Sequence, residues 1–267
     1  MKKTTYPKVH PAMIAVWAAL MSVSGLLPTF PVFGTGGNFS VSYALAPLAG
    51  IMFGPWAGAL AVAIGEILGS IIAPHVATIG IFTFLINTTN SFVAGYVSRK
   101  RWPIGFIVLA ALTGLWFLIP AGRATYVYAL VVYGAGLVMM PVGGILGTRL
   151  FEKKNVPLQI LGLFLIAWPC YIAGSIVGNI FTLFLIELPP ELWNTFLVWL
   201  TPFERTVFAI GAAIIGLPLL RGLPKLSIYV GPAYDGDEGE DELDKKVAEK
   251  VQQEQELAEQ QVQDENL

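Results

Sequence analysis

Apolar runs of roughly 20 residues recur along the first 225 positions of this 267-residue chain. A run of that length crosses a hydrocarbon layer of about 30 Å as a helix. Lipid offers no hydrogen bonds, so each crossing segment has to pair its own backbone groups, and a helix does so. The alternating ten-residue strands of a membrane barrel are not seen. Composition agrees, with 55% hydrophobic and 13% charged residues and a mean hydropathy of +0.67. The expected fold class is all-α, a polytopic membrane bundle of about eight spans.

The pattern predicts helices over 12–29, 41–53, 56–73, 77–97, 104–121, 125–150, 158–186 and 202–220. The second is too short to cross straight without its neighbours. The seventh is over-long, which predicts a tilt or a kink near Pro169. A short amphipathic piece over 190–200, carrying Trp193 and Trp199, is expected to lie at the interface. The basic start, MKKTTYPKVH, leads into an apolar run of span length with no convincing cleavage site, so it reads as the first span rather than a removable signal.

Lys and Arg set the orientation. With the N-terminus inside, the inner loops hold Lys2, Lys3, Lys8, Arg99, Lys100, Arg101, Arg149, Lys153, Lys154, Arg221 and Lys225. The outer side then holds Arg123 and Arg205 alone. Eight spans place both termini in the cytoplasm. The net charge of -2 conceals a split: from Asp235 onward 13 acids face three lysines, whereas the rest holds five acids and 13 basic residues. The expected domains are a membrane part over 1–225 and an acidic cytoplasmic tail over 226–267. The tail reads as solvated or partly helical, with a docking segment for a cytoplasmic partner as the other reading. The single Cys170 excludes an internal disulfide, and two histidines with one cysteine make a structural zinc site improbable. No metal, no cofactor and no nucleic-acid partner is expected.

The most informative stretch is LAGIMFGPWAGALAVAIGEILGSIIAP, over 48–74. Gly54 suits the end of one helix and Pro55 the first turn of the next, which predicts a tight inner hairpin. Ala44, Ala46, Ala49, Gly50, Gly58, Ala59, Ala61, Gly65 and Gly69 let the two helices approach closely.

At this hairpin the sequence resembles the S components of energy-coupling factor (ECF) vitamin transporters. The likeness lies in an order of features: AMIAVWAALMSVSGLLP, the outer loop TFPVFGTGGNFS, the hairpin itself, IGEILGS in the third helix, a polar fourth helix with a basic end, and TPFERTVFAIGAAIIGLPLLRGL at the close. The family has six spans, so 104–150 reads as an inserted hairpin. The resemblance implies capture of a vitamin-like small organic molecule at the outer face, under the loop between the first two helices. It implies no ATP hydrolysis by this chain, and the chain has no G-x-x-x-x-G-K-[ST] loop. It implies docking to a transmembrane T component driven by two cytoplasmic ATPases, within the prokaryotic cell membrane. The family's docking patch maps to Ala15 and Ala19, with Ala12 and Ala18 nearby; ordinary helix packing is the competing reading.

Polar residues at membrane depth face protein or water rather than lipid. Glu66 lies roughly 15 Å in from the hairpin turn at about 1.5 Å per residue. It is expected to tie the third helix to the fourth through Asn87, with ligand contact or a proton- or cation-linked role as alternatives. Thr83, Asn87, Asn90 and Ser91 share one face of the fourth helix. Tyr171, Ser175, Asn179 and Thr182 share one face of the seventh. These stripes are either a ligand pocket, closed by Trp168, Trp193 or Phe39, or interhelical glue. Candidate substrate-binding residues are thus Phe39, Asn87, Asn90, Tyr171, Ser175, Asn179 and Arg205. Thr201 to Glu204 reads as a capping box that opens the last helix. Arg205 reads as an anion-binding group or as an ion-pair partner of Glu187 or Glu191. The rival functions are an ion-coupled secondary transporter and an intramembrane enzyme. The second is disfavoured, since no metal-ligand cluster, Asp-rich motif or Ser/His pair occurs in the spans and no catalytic residue is expected.

Overall fold

The computed structural model describes residues 9–27, 30–31, 38–226, 228 and 230–234, with the backbone alone at Phe30, Pro31, Asn38, Phe39 and Tyr234. The acidic segment from Asp235 onward, Lys2, Lys3, Lys8 and most of the first loop lie outside these residues. The described chain is a helical membrane bundle of eight helices in the predicted order. They are α1 (Pro11–Ser24), α2 (Ser42–Phe53), α3 (Pro55–Ile72), α4 (Phe84–Val97), α5 (Trp102–Leu118), α6 (Tyr126–Phe151), α7 (Val156–Leu185) and α8 (Pro190–Leu226). By length and composition α3, α6, α7 and α8 can each cross a membrane alone, while α1, α2 and α5 are shorter apolar helices. A two-residue ribbon, β1 (Phe30–Pro31) and β2 (Asn38–Phe39), pairs antiparallel with Phe30 opposite Phe39 and closes the loop between α1 and α2.

The α2–α3 turn forms as its residues dictate. Gly54 sits at φ +87°, where a side chain is strained, and Pro55 opens α3. The helices meet backbone to backbone. A Cβ on Gly58 would come 2.5 Å from the carbonyl oxygen of Ala49, and one on Gly95 of α4 would come 2.5 Å from Pro55. A Cβ on Gly50 would overlap the carbonyl oxygen of Ser91. The Arg99 guanidinium locks the same junction. Its Nη1 donates to the carbonyls of Gly50 (3.1 Å), Ile51 (3.2 Å) and Gly95 (3.2 Å), which satisfies carbonyls that the end of α2 leaves open. After α8 the chain turns back beneath this junction, where Val230 is buried and the Gly231 N–H donates to the Met52 carbonyl at 2.9 Å.

α1 packs mainly on α3. The Ser22 hydroxyl bonds the Gly65 carbonyl at 3.1 Å, and Gly65 admits Met21 and Ala18. On α1, Trp17, Ala18 and Met21 are buried, whereas Ala12, Ala15 and Ala19 are exposed.

Two expectations are corrected. The segment over 77–83 is not the start of α4 but a pair of turns with Gly80 at φ +61°, so the regular helix opens at Phe84. Pro169 lies within α7, which runs as one α-helix over Val156–Leu185 and is long enough to cross a membrane. The separate interfacial piece and the capping box at Thr201 are replaced by a single helix from Pro190, in which Glu204 stands mid-helix. The reason is local. The chain before Thr201 is already helical, so the first-turn N–H groups that a capping box would serve bond the preceding turn, and Pro202 removes only its own donor. Trp193 is accordingly 2% exposed and Trp199 73% exposed.

Gly50→Ala is expected to cost about 1–3 kcal/mol or more through overpacking against Ser91. At Gly114 of α5, by contrast, an added Cβ would meet nothing within 4 Å. Gly114→Ala is therefore expected to be neutral or stabilising by up to about 1 kcal/mol. Thermal unfolding of the two detergent-solubilised variants compares them directly.

Candidate functional site

Helix ends from five elements converge opposite the α2–α3 turn. They enclose a cavity lined by Tyr43 of α2, Thr78 and Ile79, Ile86 of α4, Tyr128 of α6, Ser175, Gly178, Asn179 and Thr182 of α7, and Trp193, Thr201, Glu204 and Arg205 of α8. Its empty space is about 630 Å³ with the open mouth included, but only about 70 Å³ admits the centre of a water molecule. That is room for several waters in a narrow cleft.

One wall is a hydrogen-bonded relay. The Asn179 amide donates to the hydroxyls of Tyr128 (2.7 Å) and Tyr133 (3.1 Å), and the Tyr128 hydroxyl donates to Thr201 Oγ1 at 3.2 Å. The start of α6 is held from below by Asn194, which accepts from the Tyr128 N–H at 3.1 Å and donates to the Ala124 carbonyl at 3.1 Å. Trp116, Tyr128, Tyr133 and Trp193 pack as an aromatic cluster, with Tyr128 and Trp193 centroids 4.9 Å apart, edge to face. Edge-on contacts of this kind fix ring orientation. The Trp193 indole N–H is buried and has no hydrogen-bond partner among the described residues.

The other wall is charged. Arg205, 7% exposed, lies 3.9 Å from Glu204 and stacks its guanidinium carbon 5.9 Å from the Tyr43 ring centroid and 6.0 Å from that of Phe208. The ion pair is thus with its neighbour Glu204, not with the expected Glu187 or Glu191. Tyr171 stands behind this wall, where its hydroxyl donates to the Tyr43 carbonyl at 2.8 Å.

Of the sequence-predicted residues, Ser175, Asn179, Arg205 and the closing Trp193 meet at the cavity. Tyr171, Asn87 and Asn90 are buried and are not among its lining residues. Asn87 instead donates to Glu66 Oε1 at 2.7 Å, the expected tie between α3 and α4. Trp168 donates to Thr206 at 3.0 Å, away from the cavity. The Phe39 side chain lies outside the described residues. Sequence reasoning missed Tyr43, Tyr128 and Thr201. Tyr128 was hidden because its helix reads as an insertion, although three tyrosines within Tyr126–Tyr133 at one helix end were the available signal.

Residues 9–132, somewhat under half of the chain, match the family described as ECF-type riboflavin transporter, S component. The likeness supports an ECF S component, and such components are transporter subunits rather than enzymes. A Methanocaldococcus jannaschii protein described as uncharacterized is 23% identical over 162 residues, which cover 61% of this chain and 54% of the relative. The chain thus spans about half the length of the curated relative it matches. No solved structure matches.

Tyr128→Phe removes the acceptor of one Asn179 bond and the donor to Thr201. A loss of about 1–2 kcal/mol is expected. A thermal midpoint equal to that of the unaltered protein would show that water replaces both bonds.

Proposed function

We propose that this chain is the substrate-capture subunit of an ECF-type uptake system and holds a flavin-like molecule in the cavity between α2, α4, α6, α7 and α8. The observation that carries the reading is the coincidence of a family match over α1–α5 with a partly open, aromatic-walled cavity at one end of the bundle. Riboflavin, named in the matching family's description, is the first candidate. Tyr43, Tyr128 and Trp193 offer ring faces and edges to a flat heterocycle. The Trp193 N–H, the Asn179 amide and Arg205 offer donors to ring carbonyls or to an anionic group. The cleft is narrow, so entry of a ring system requires its walls to part.

The basic-loop count puts this cavity outside and both termini in the cytoplasm. Docking to a T component uses the α1 face bearing Ala12, Ala15 and Ala19, all exposed, beside exposed Val16 and Leu20. Ala18 turns inward and takes no part. Close helix approach over small residues is the available mode of association in lipid. The ATPases are partners, since this chain lacks a phosphate loop of its own.

Calorimetry with riboflavin and other vitamins on the purified protein tests the capture role. Arg205→Ala and Arg205→Lys are both expected to weaken an anionic or carbonyl-rich ligand. The loss is about 1.5–3 kcal/mol for Ala, roughly ten- to hundredfold in affinity. Unchanged affinity with lower thermal stability would make Arg205 a structural residue. For docking, Ala15→Trp with Ala19→Trp is expected to abolish co-purification with a T component at unchanged ligand affinity. A double variant that assembles and transports normally would refute the assignment.

A further inference from the structure

We propose that Glu66, together with Ser42 and Asn87, forms a sodium-binding site buried between α2, α3 and α4. The site goes beyond substrate capture and does not depend on it. Glu66 stands in the middle of α3 and is 7% exposed. Its partners are the Asn87 amide at 2.7 Å and the Ser42 hydroxyl, both neutral. The ion pairs among the described residues, Lys100 with Glu152 and Arg205 with Glu204, do not include it. A carboxylate withdrawn from water without a counter-charge is strongly disfavoured, so something has to neutralise it.

Two neutralisers are available, a proton and a cation, and the neighbouring oxygens distinguish them. Asn87 Oδ1 is buried and has no hydrogen-bond partner among the described residues. It belongs to the same amide whose nitrogen reaches Glu66. A proton on Glu66 donates a single hydrogen bond. A hard cation takes several oxygen ligands at once, so it neutralises the carboxylate and engages Asn87 Oδ1 and the Ser42 hydroxyl oxygen together. The donor set also selects the ion. It is all oxygen, which suits alkali and alkaline-earth ions rather than zinc or copper. It carries one formal negative charge, which balances one monovalent ion. A calcium site calls for 6–8 oxygens and typically several carboxylates. No group of three His, Cys, Asp or Glu side chains able to hold a metal occurs among the described residues.

The helices that supply these oxygens are the ones locked by Gly50, Gly58 and Gly95, so an ion here joins them a second time, farther from the α2–α3 turn. Ser42 also sits next to Tyr43, a lining residue of the cavity. The proposed site and the ligand wall thus share the first turn of α2.

The test uses the full-length protein in detergent, exchanged into choline chloride and titrated with sodium chloride at constant total salt. The midpoint of thermal unfolding is expected to rise by an even increment for each tenfold increase in sodium above half-saturation. Equilibrium binding of radioactive sodium is expected to report one ion per chain. Glu66→Gln keeps the shape and removes the charge. It is expected to be indifferent to sodium, with half-saturation moved by about a hundredfold or more. Should that variant not fold, Ser42→Ala is expected to raise the half-saturating sodium several-fold. Gly114→Ala is expected to respond like the unaltered protein. Equal midpoints in sodium and choline with no bound sodium would overturn the site and leave Glu66 carrying a proton. A Glu66→Gln protein that responds to sodium like the unaltered one would overturn it equally. Riboflavin affinity measured in choline chloride keeps a failure here separate from a failure of the capture role.

Discussion

The arrangement rests on backbone touching backbone where α2, α3 and α4 cross. Lipid gives no hydrophobic drive for one helix to seek another, so close packing has to supply the attraction. Gly50, Gly58 and Gly95 reduce the spacing until carbonyl oxygens and Cα atoms meet directly. Arg99 then commits its guanidinium to the carbonyls that the end of α2 leaves open. This fixed wedge sets where the far ends of the three helices emerge. Tyr43, Ile79 and Ile86 owe their places at the cavity to it.

The other half of the cavity comes from α6, α7 and α8, and its order comes from polar contacts rather than close backbones. Asn179 gathers two tyrosines of α6, and Asn194 holds the first turn of that helix from α8. The α5–α6 hairpin is therefore more than an appendage to a six-helix core. It delivers Tyr128 to the cavity and Trp116 to the aromatic cluster behind it.

Much of this was legible in the sequence because the signals were local. Apolar run lengths located all eight helices, and Gly54 with Pro55 located the turn. Glu66 and Asn87 were paired correctly, since two polar groups at equal depth on neighbouring helices have few alternatives. What failed depended on non-local or unusual geometry. Thr201, Pro202 and Glu204 form a sound capping box on paper, yet the residues before them are already helical and the helix runs through. Gly80 at positive φ delayed α4 by about two turns. The cavity itself was half legible. Ser175, Asn179 and Arg205 announced themselves as polar groups in apolar helices. Tyr43 and Tyr128 did not, because a tyrosine near a membrane boundary is ordinary.

The return of the chain after α8 carries a mechanical meaning. The last described residues do not hang from the end of that helix; they are stitched to the final turn of α2 by the Gly231 bond to Met52 and by the burial of Val230. Whatever pulls on the chain beyond that stitch therefore pulls on the α2–α3 turn before it pulls on α8. Residues 230 and 231 are held against the end of α2, and force applied there is delivered to the wedge.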